Sequence, residues 1–169
     1  TQHPHGRSWV GRVKALIEAD LGLVDQARAS AQESLAYAKA ATNEFFTITA
    51  LGSLGRVELA LGNHQAASGY LSELPRRLHV GGIDDPTIPL WADAIEALTA
   101  LGELEQAGAY LARYDENARR LGSPWAVAAA ERCRGLLTAK QGSDPAGAVS
   151  AIERSLAVLE GCSYPFERG

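Results

Sequence analysis

Apolar residues recur at offsets of three and four along most of the chain, which is the spacing that places them on one face of an α-helix. The pattern is clearest in four segments. Each begins at or next to a small residue, and these small residues are 40 positions apart: Ala27, Ala67, Ala107 and Gly147. The four apolar stripes are Ala27, Ala31, Leu35 and Ala38; Ala67, Leu71, Leu74 and Leu78; Ala107, Leu111, Tyr114, Ala118 and Leu121; and Ala148, Ile152, Leu156 and Leu159.

Glycine recurs with the same period, at Gly22, Gly62, Gly102 and Gly142. Because glycine adopts the left-handed backbone conformation without steric cost, it commonly ends a helix. A fixed period of roughly 20–50 residues is typical of a repeat array. We therefore predict four helical hairpins, each turning at one of these glycines, over approximately residues 7–41, 44–80, 87–121 and 124–161.

Side chains that can accept a hydrogen bond precede several predicted helices, at Asn43, at Ser123 before Pro124 and at Asp144 before Pro145. A further helix is expected to begin at Ser163. No segment alternates polar and apolar residues as a strand would. The predicted fold class is all-α: a right-handed α-solenoid in one domain over residues 1–169, with 80–89 connecting the second and third repeats.

Composition narrows the classes of function. The net charge of −4 argues against a nonspecific nucleic-acid surface, and no apolar run approaches the roughly 20 residues of a membrane span. Methionine is absent and no signal peptide precedes the first helix, so we expect a cytoplasmic piece of a longer protein. Cys133 and Cys162 fall on helical levels about 15 Å apart, too far for a disulfide, and Cys133 is expected in the core.

Candidate catalytic chemistry is sparse. The four histidines (His3, His5, His64 and His79) lack neighbours at metal-ligand spacing, and Asp84-Asp85 is better explained as a solvated turn than as an acid–base pair. Phosphate-binding, dinucleotide-binding and nucleophile-elbow motifs are all missing from the sequence. We therefore expect no enzymatic activity, no metal and no cofactor in this chain.

A solenoid instead offers a concave surface lined by the first helix of each hairpin. On that surface the sequence predicts a partner-binding groove of mixed aromatic and charged character, formed by Arg12, Arg56, Trp91, Asp93 and Arg132. The alternative is that Trp91 packs in the core between repeats and the arginines are solvated. Trp9 and Trp125 are expected to pack in the core or at helix starts.

The hairpins resemble a known repeat family. The pattern L-G-x-x-x-x-A at the turns, from Leu21 to Ala27 and from Leu101 to Ala107, is similar to that of tetratricopeptide repeats, although the 40-residue period is longer than the usual one. The segments 97–137, 148–161 and 164–169 resemble the helical array of the large ATP-dependent LuxR-type (maltose-activator-like) transcriptional regulators. The last of these departs from the family pattern at Arg168-Gly169.

That resemblance implies a non-catalytic, tetratricopeptide-like sensing module in the middle of a bacterial regulator. It would bind a protein, a peptide or a small-molecule inducer in its groove and bias a nucleotide-dependent switch. ATP would bind only to an upstream domain, and DNA only to a separate helix-turn-helix. Two alternatives stay open: a stand-alone scaffold that docks a peptide or helix, and a helical accessory domain of an enzyme. A homodimer through an exposed end is also expected.

Overall fold

A computed structural model describes residues 4–161 of the chain. This part contains nine helices and no strand, which confirms the predicted all-α class. The described residues form two compact units that divide between Ile83 and Asp84. The first unit contains α1 (Pro4–Asp20), α2 (Val24–Ala40), α3 (Glu44–Ala60), α4 (His64–Leu71) and α5 (Leu74–Val80), and the second contains α6 (Leu90–Leu101), α7 (Leu104–Leu121), α8 (Pro124–Gln141) and α9 (Pro145–Glu160).

Within each unit, consecutive helices pack against each other, and some helices also pack against the helix two elements away. In the first unit α1 contacts both α2 and α3, and in the second unit α6 contacts both α7 and α8. The unit boundary falls in the segment that the sequence predicted as a connection between repeats. The predicted start of a helix at Ser163, and Cys162, lie outside the described residues.

Three helix starts are formed as the sequence predicted. The backbone N–H of Phe46 donates to Asn43 Oδ1 at 3.0 Å, and that of Gly147 donates to Asp144 Oδ1 at 2.9 Å. Ser123 Oγ accepts from the N–H of Ala126 at 3.4 Å. These bonds satisfy amide groups that have no partner within their own helix, so the caps fix where each helix begins.

The apolar stripe of the second repeat is buried as predicted, but it belongs to two helices instead of one. Leu71 ends α4, and Leu74 begins α5 after a break at Ser72-Glu73. Pro75 is the physical reason, because proline has no N–H to continue the helix and its ring clashes with the carbonyl four residues earlier. Two other stripe residues, Leu121 and Leu156, are exposed at 56 % and 43 %.

A left-handed residue ends a helical segment every 20 residues. The four predicted glycines all have positive φ, which confirms their role. A second series, which the sequence did not reveal, lies midway between them at Thr42, Gly82 and Gly122. At each of these three positions the residue's N–H bonds to a carbonyl three residues back and the next N–H bonds to one five residues back. Thr42 is thus a glycine position occupied by a β-branched residue.

Thr42→Gly is expected to stabilise the first unit by about 0.5–1 kcal/mol. A left-handed conformation costs a non-glycine residue roughly 1–2 kcal/mol, and part of that gain is offset by the greater freedom of glycine in the unfolded chain. Urea unfolding followed by circular dichroism measures the change. Gly122→Ala is the matched control and should lose about 1 kcal/mol through the backbone alone, since an added Cβ would meet nothing within 4 Å. If Thr42→Gly and the wild type were equally stable, the left-handed backbone at Thr42 would not be strained.

Candidate functional site

Two arginines of the predicted groove lie near each other in the first unit. Arg12 on α1 is half-buried, and its guanidinium carbon lies 5.0 Å from the centroid of the Trp9 ring, within cation–π range. Burial lowers the pKa of Arg12, and the positive charge of Arg56 on α3 lowers it further. Within residues 4–161 no carboxylate pairs with Arg12. The first unit therefore holds a half-buried cation beside a second cation.

Trp91 lies in the core of the second unit. It is 1 % exposed, its ring stacks on that of Tyr114 with centroids 6.4 Å apart, and it meets Tyr110 edge to face. The indole Nε1 has no hydrogen-bond partner among the described residues. Trp91 thus takes the packing role that the sequence left open as the alternative, and its ring is not available at the surface of this structure.

Arg132 and Asp93 belong to a charged cluster in the same unit. Arg132 Nη1 donates to Glu96 Oε2 and so ties α8 to α6. Burial alone would lower the pKa of Arg132, but the negative charges around it, including Glu96 and Asp93, raise it. Asp93 is 5 % exposed, so only Arg132 and Glu96 of this cluster reach the surface.

Sequence reasoning missed Glu96, although its position carried a signal. Glu96 is 40 residues after Arg56, so the two residues occupy equivalent positions of the predicted repeats. Both lie on first helices and both are half-buried. The five predicted residues are therefore split between the units: Arg12 with Arg56 in the first, and Trp91, Asp93 and Arg132 in the second.

Other charged groups join helices within a unit and serve as structural contacts. Glu58 on α3 accepts two hydrogen bonds from Arg28 on α2, at 2.6 and 2.8 Å, and one from Asn63 at 2.8 Å. The bonds from Arg28 hold the pKa of Glu58 below its usual range despite burial, and the bond from Asn63 adds to this. The equivalent carboxylate one repeat earlier, Glu18, accepts from Ser30 on α2.

A larger network joins α7, α8 and α9 in the second unit. Glu131 is 6 % exposed and accepts hydrogen bonds from Arg119 at 2.9 Å and Arg154 at 3.0 Å. Asp115 contacts Arg119 and Arg134 at 3.0 and 3.1 Å. Every charged side chain of this network has a partner of opposite charge. These partners compensate the burial of Glu131, so the arrangement does not require a ligand.

The remaining candidates from the sequence have ordinary surroundings. Cys133 is free and buried, as predicted, and burial raises the pKa of its thiol to about 12, so it carries no reactive thiolate at neutral pH. Asp85 Oδ1 accepts from the N–H and hydroxyl of Thr87, at 2.8 and 2.7 Å, which makes a turn. Residues 4–161 contain no group of three His, Cys, Asp or Glu that could hold a metal ion.

No helix within the described range is both long enough and apolar enough to cross a bilayer. No family model matches the chain, and no curated protein matches it. The candidate site therefore depends on its own geometry. Each unit offers half-buried charged side chains, Arg12 with Arg56 in the first and Arg132 with Glu96 in the second. Arg12 is the one of these that lacks a carboxylate among the described residues.

Proposed function

We propose that the chain is a non-catalytic helical-repeat module that binds a partner protein or a small ligand, as the sensing part of a LuxR-type bacterial regulator would. In this proposal the four hairpins form a tetratricopeptide-like α-solenoid, and their first helices line its concave groove. The regular interval of 20 residues between left-handed turns supports the repeat, as do the contacts of α1 with α3 and of α6 with α8.

The single observation that carries the binding role is Arg12 beside Arg56. A half-buried arginine normally pairs with a carboxylate, because burying an unpaired charge is costly. Arg12 has the Trp9 ring and a second cation near it instead. A carboxylate or phosphate of a ligand or partner would neutralise the guanidinium group of Arg12, and arginine suits such anions through its planar fork of donors.

The groove of this proposal differs in one respect from the one predicted from sequence. It keeps Arg12 with Arg56 in the first unit and Arg132 with Glu96 in the second, whereas Trp91 and Asp93 are buried. In the regulator, occupancy of the groove would bias the switch between two states of the longer protein, which requires that the ligand bind one state more tightly.

Two experiments test the proposal. The first is to read the open reading frame that encodes the chain: a phosphate-binding loop upstream and a helix-turn-helix downstream support the regulator, and their absence points to a stand-alone scaffold. The second is a thermal-shift screen of the chain with dicarboxylates, sugar phosphates and short acidic peptides. We expect at least one to raise Tm, and Arg56→Gln to reduce that shift severalfold.

Arg76→Gln is the matched control for the screen. Arg76 is an exposed arginine of α5 whose partner is Glu73, three residues earlier in the chain. Its substitution removes one positive charge from the same unit without touching the groove. A ligand whose thermal shift is reduced equally by Arg76→Gln and Arg56→Gln responds only to net charge, and the groove assignment would then fail.

A further inference from the structure

The outer face of α1 carries an exposed apolar stripe. Val10, Val13 and Ile17 lie on one side of the helix and are exposed at 64 %, 38 % and 54 %. Trp9 borders the stripe and is 47 % exposed, so of the two places expected for it, the core and a helix start, it does not take the core. Contiguous exposed apolar surface of this kind commonly marks an interaction site.

The repeat shows what happens to the same positions elsewhere. One period later they are Ala50, Ser53 and Val57 on α3, and three periods later they are Ala130, Cys133 and Leu137 on α8. All six are at most 7 % exposed. In the first unit α1 and α2 pack against α3, and in the second α6 and α7 pack against α8. The stripe on α1 is thus a helix-packing face that no described residue covers.

Basic side chains border this stripe on both edges. Arg12 lies over the Trp9 ring on one edge, and Lys14 lies beside the stripe on the other, with 61 % of its side chain exposed. The carboxylate of Glu18 is largely buried, where it accepts a hydrogen bond from Ser30 at 2.6 Å and pairs with Lys14 at 3.5 Å. Asp20, in the last turn, is the exposed carboxylate of this helix. Among the charged side chains of the border that reach the surface, Arg12 and Lys14 therefore outnumber Asp20.

We propose that this face docks an amphipathic helix of a partner protein that carries acidic residues along the borders of its apolar face. The partner helix would lie along α1 as α1 lies along α3, with its apolar side chains on Val10, Val13 and Ile17. Its carboxylates would meet Arg12 and Lys14. Binding of a helix to an apolar face through residues three and four apart is a common mode of peptide recognition.

A second copy of this chain fits the face less well. A symmetric antiparallel pair centred on Val13 would bring the two Lys14 side chains to the same side of the interface, where their charges repel. This repulsion favours a partner of opposite charge.

The test uses the 1–169 chain and two fluorescently labelled helical peptides of 21 residues. One has leucine along one face with glutamate on both borders, and the other has lysine in place of every glutamate. Fluorescence anisotropy at 50 mM salt is expected to give at least tenfold tighter binding of the glutamate peptide, a preference that should weaken as salt increases. Val10→Ser and Ile17→Ser should each weaken its binding about tenfold.

Val149→Ser and Leu156→Ser on α9 are the matched controls, since both residues are apolar and exposed at 58 % and 43 % but lie outside α1. They should leave binding unchanged, which shows that the stripe on α1 is the docking face and not exposed apolar surface in general. Circular dichroism establishes that each variant folds. The proposal is overturned by equal binding of the two peptides, by binding insensitive to Ile17→Ser, or by sedimentation that shows a dimer dissociated by that substitution.

Discussion

Trp91→Ala is expected to destabilise the second unit by about 3–5 kcal/mol, the usual cost of removing a buried Trp side chain. The ring is 1 % exposed and stacks on Tyr114, itself fully buried, so the substitution leaves a cavity that the packed helices can close only in part. Urea unfolding of the chain, followed by far-ultraviolet circular dichroism, measures the loss. A groove residue at the surface would cost far less, so the magnitude distinguishes packing from binding.

Two variants serve as controls for that measurement. Trp91→Phe keeps an aromatic ring against Tyr114 and deletes an Nε1 group that has no partner in the described part of the chain, so its cost should be clearly smaller. Trp125→Ala removes the same side chain from a half-buried position on α8 and should also cost less. If Trp91→Ala instead changed stability by under about 1 kcal/mol, the packing role would be refuted.

Gly55→Ala is expected to destabilise the first unit by about 1–3 kcal/mol, although alanine is the better helix former by about 1 kcal/mol. A Cβ added at Gly55 would lie 2.3 Å from Leu71 Cγ and within 2.8 Å of both its methyl carbons. Leu71 is fully buried, so it has little room to move away. The clash therefore outweighs the gain in helix propensity, and the sign of the change is the test.

The opposite sign is expected at a glycine with open space around it. Gly69 lies within α4 of the same unit, and an added Cβ would meet nothing within 4 Å. Gly69→Ala should therefore stabilise by up to about 1 kcal/mol in the same urea titration. Adding Leu71→Ala to Gly55→Ala should show strong non-additivity, because the second substitution removes the clash created by the first. If Gly55→Ala instead stabilised the protein, the close approach of Leu71 to Gly55 would be ruled out.

The parts of the fold that depend on local chemistry could be predicted from the sequence. Side-chain caps and turn glycines act within a few residues, so Asn43 and Gly102 indicate helix ends without any knowledge of packing. Thr42 escaped detection because its left-handed conformation is imposed by the helices on either side, against its own preference. The break between α4 and α5 could have been predicted from Pro75, since proline within a helical pattern signals a break.

The candidate site was harder to predict because helical periodicity does not say which side of an apolar helix meets another helix. Trp91 is the clearest example, since α6 is buried over most of its surface and its aromatic residue could have faced either way. Gly55 and Gly135, 80 residues apart, mark where a neighbouring helix comes closest, at Leu71 and Ile152. Their common position in the predicted 40-residue period was the available signal for this packing.

The restriction of helix contacts to near neighbours has a kinetic consequence. Within each unit, helices pack against those one or two elements away, as in α1 with α2 and α3 or α6 with α7 and α8. The chain segments that must close to form these contacts are short, so the loss of entropy before each contact forms is small. Proteins of low contact order fold within microseconds to milliseconds. A segment of this kind can become structured early during synthesis on the ribosome, before residues farther along the chain have been added.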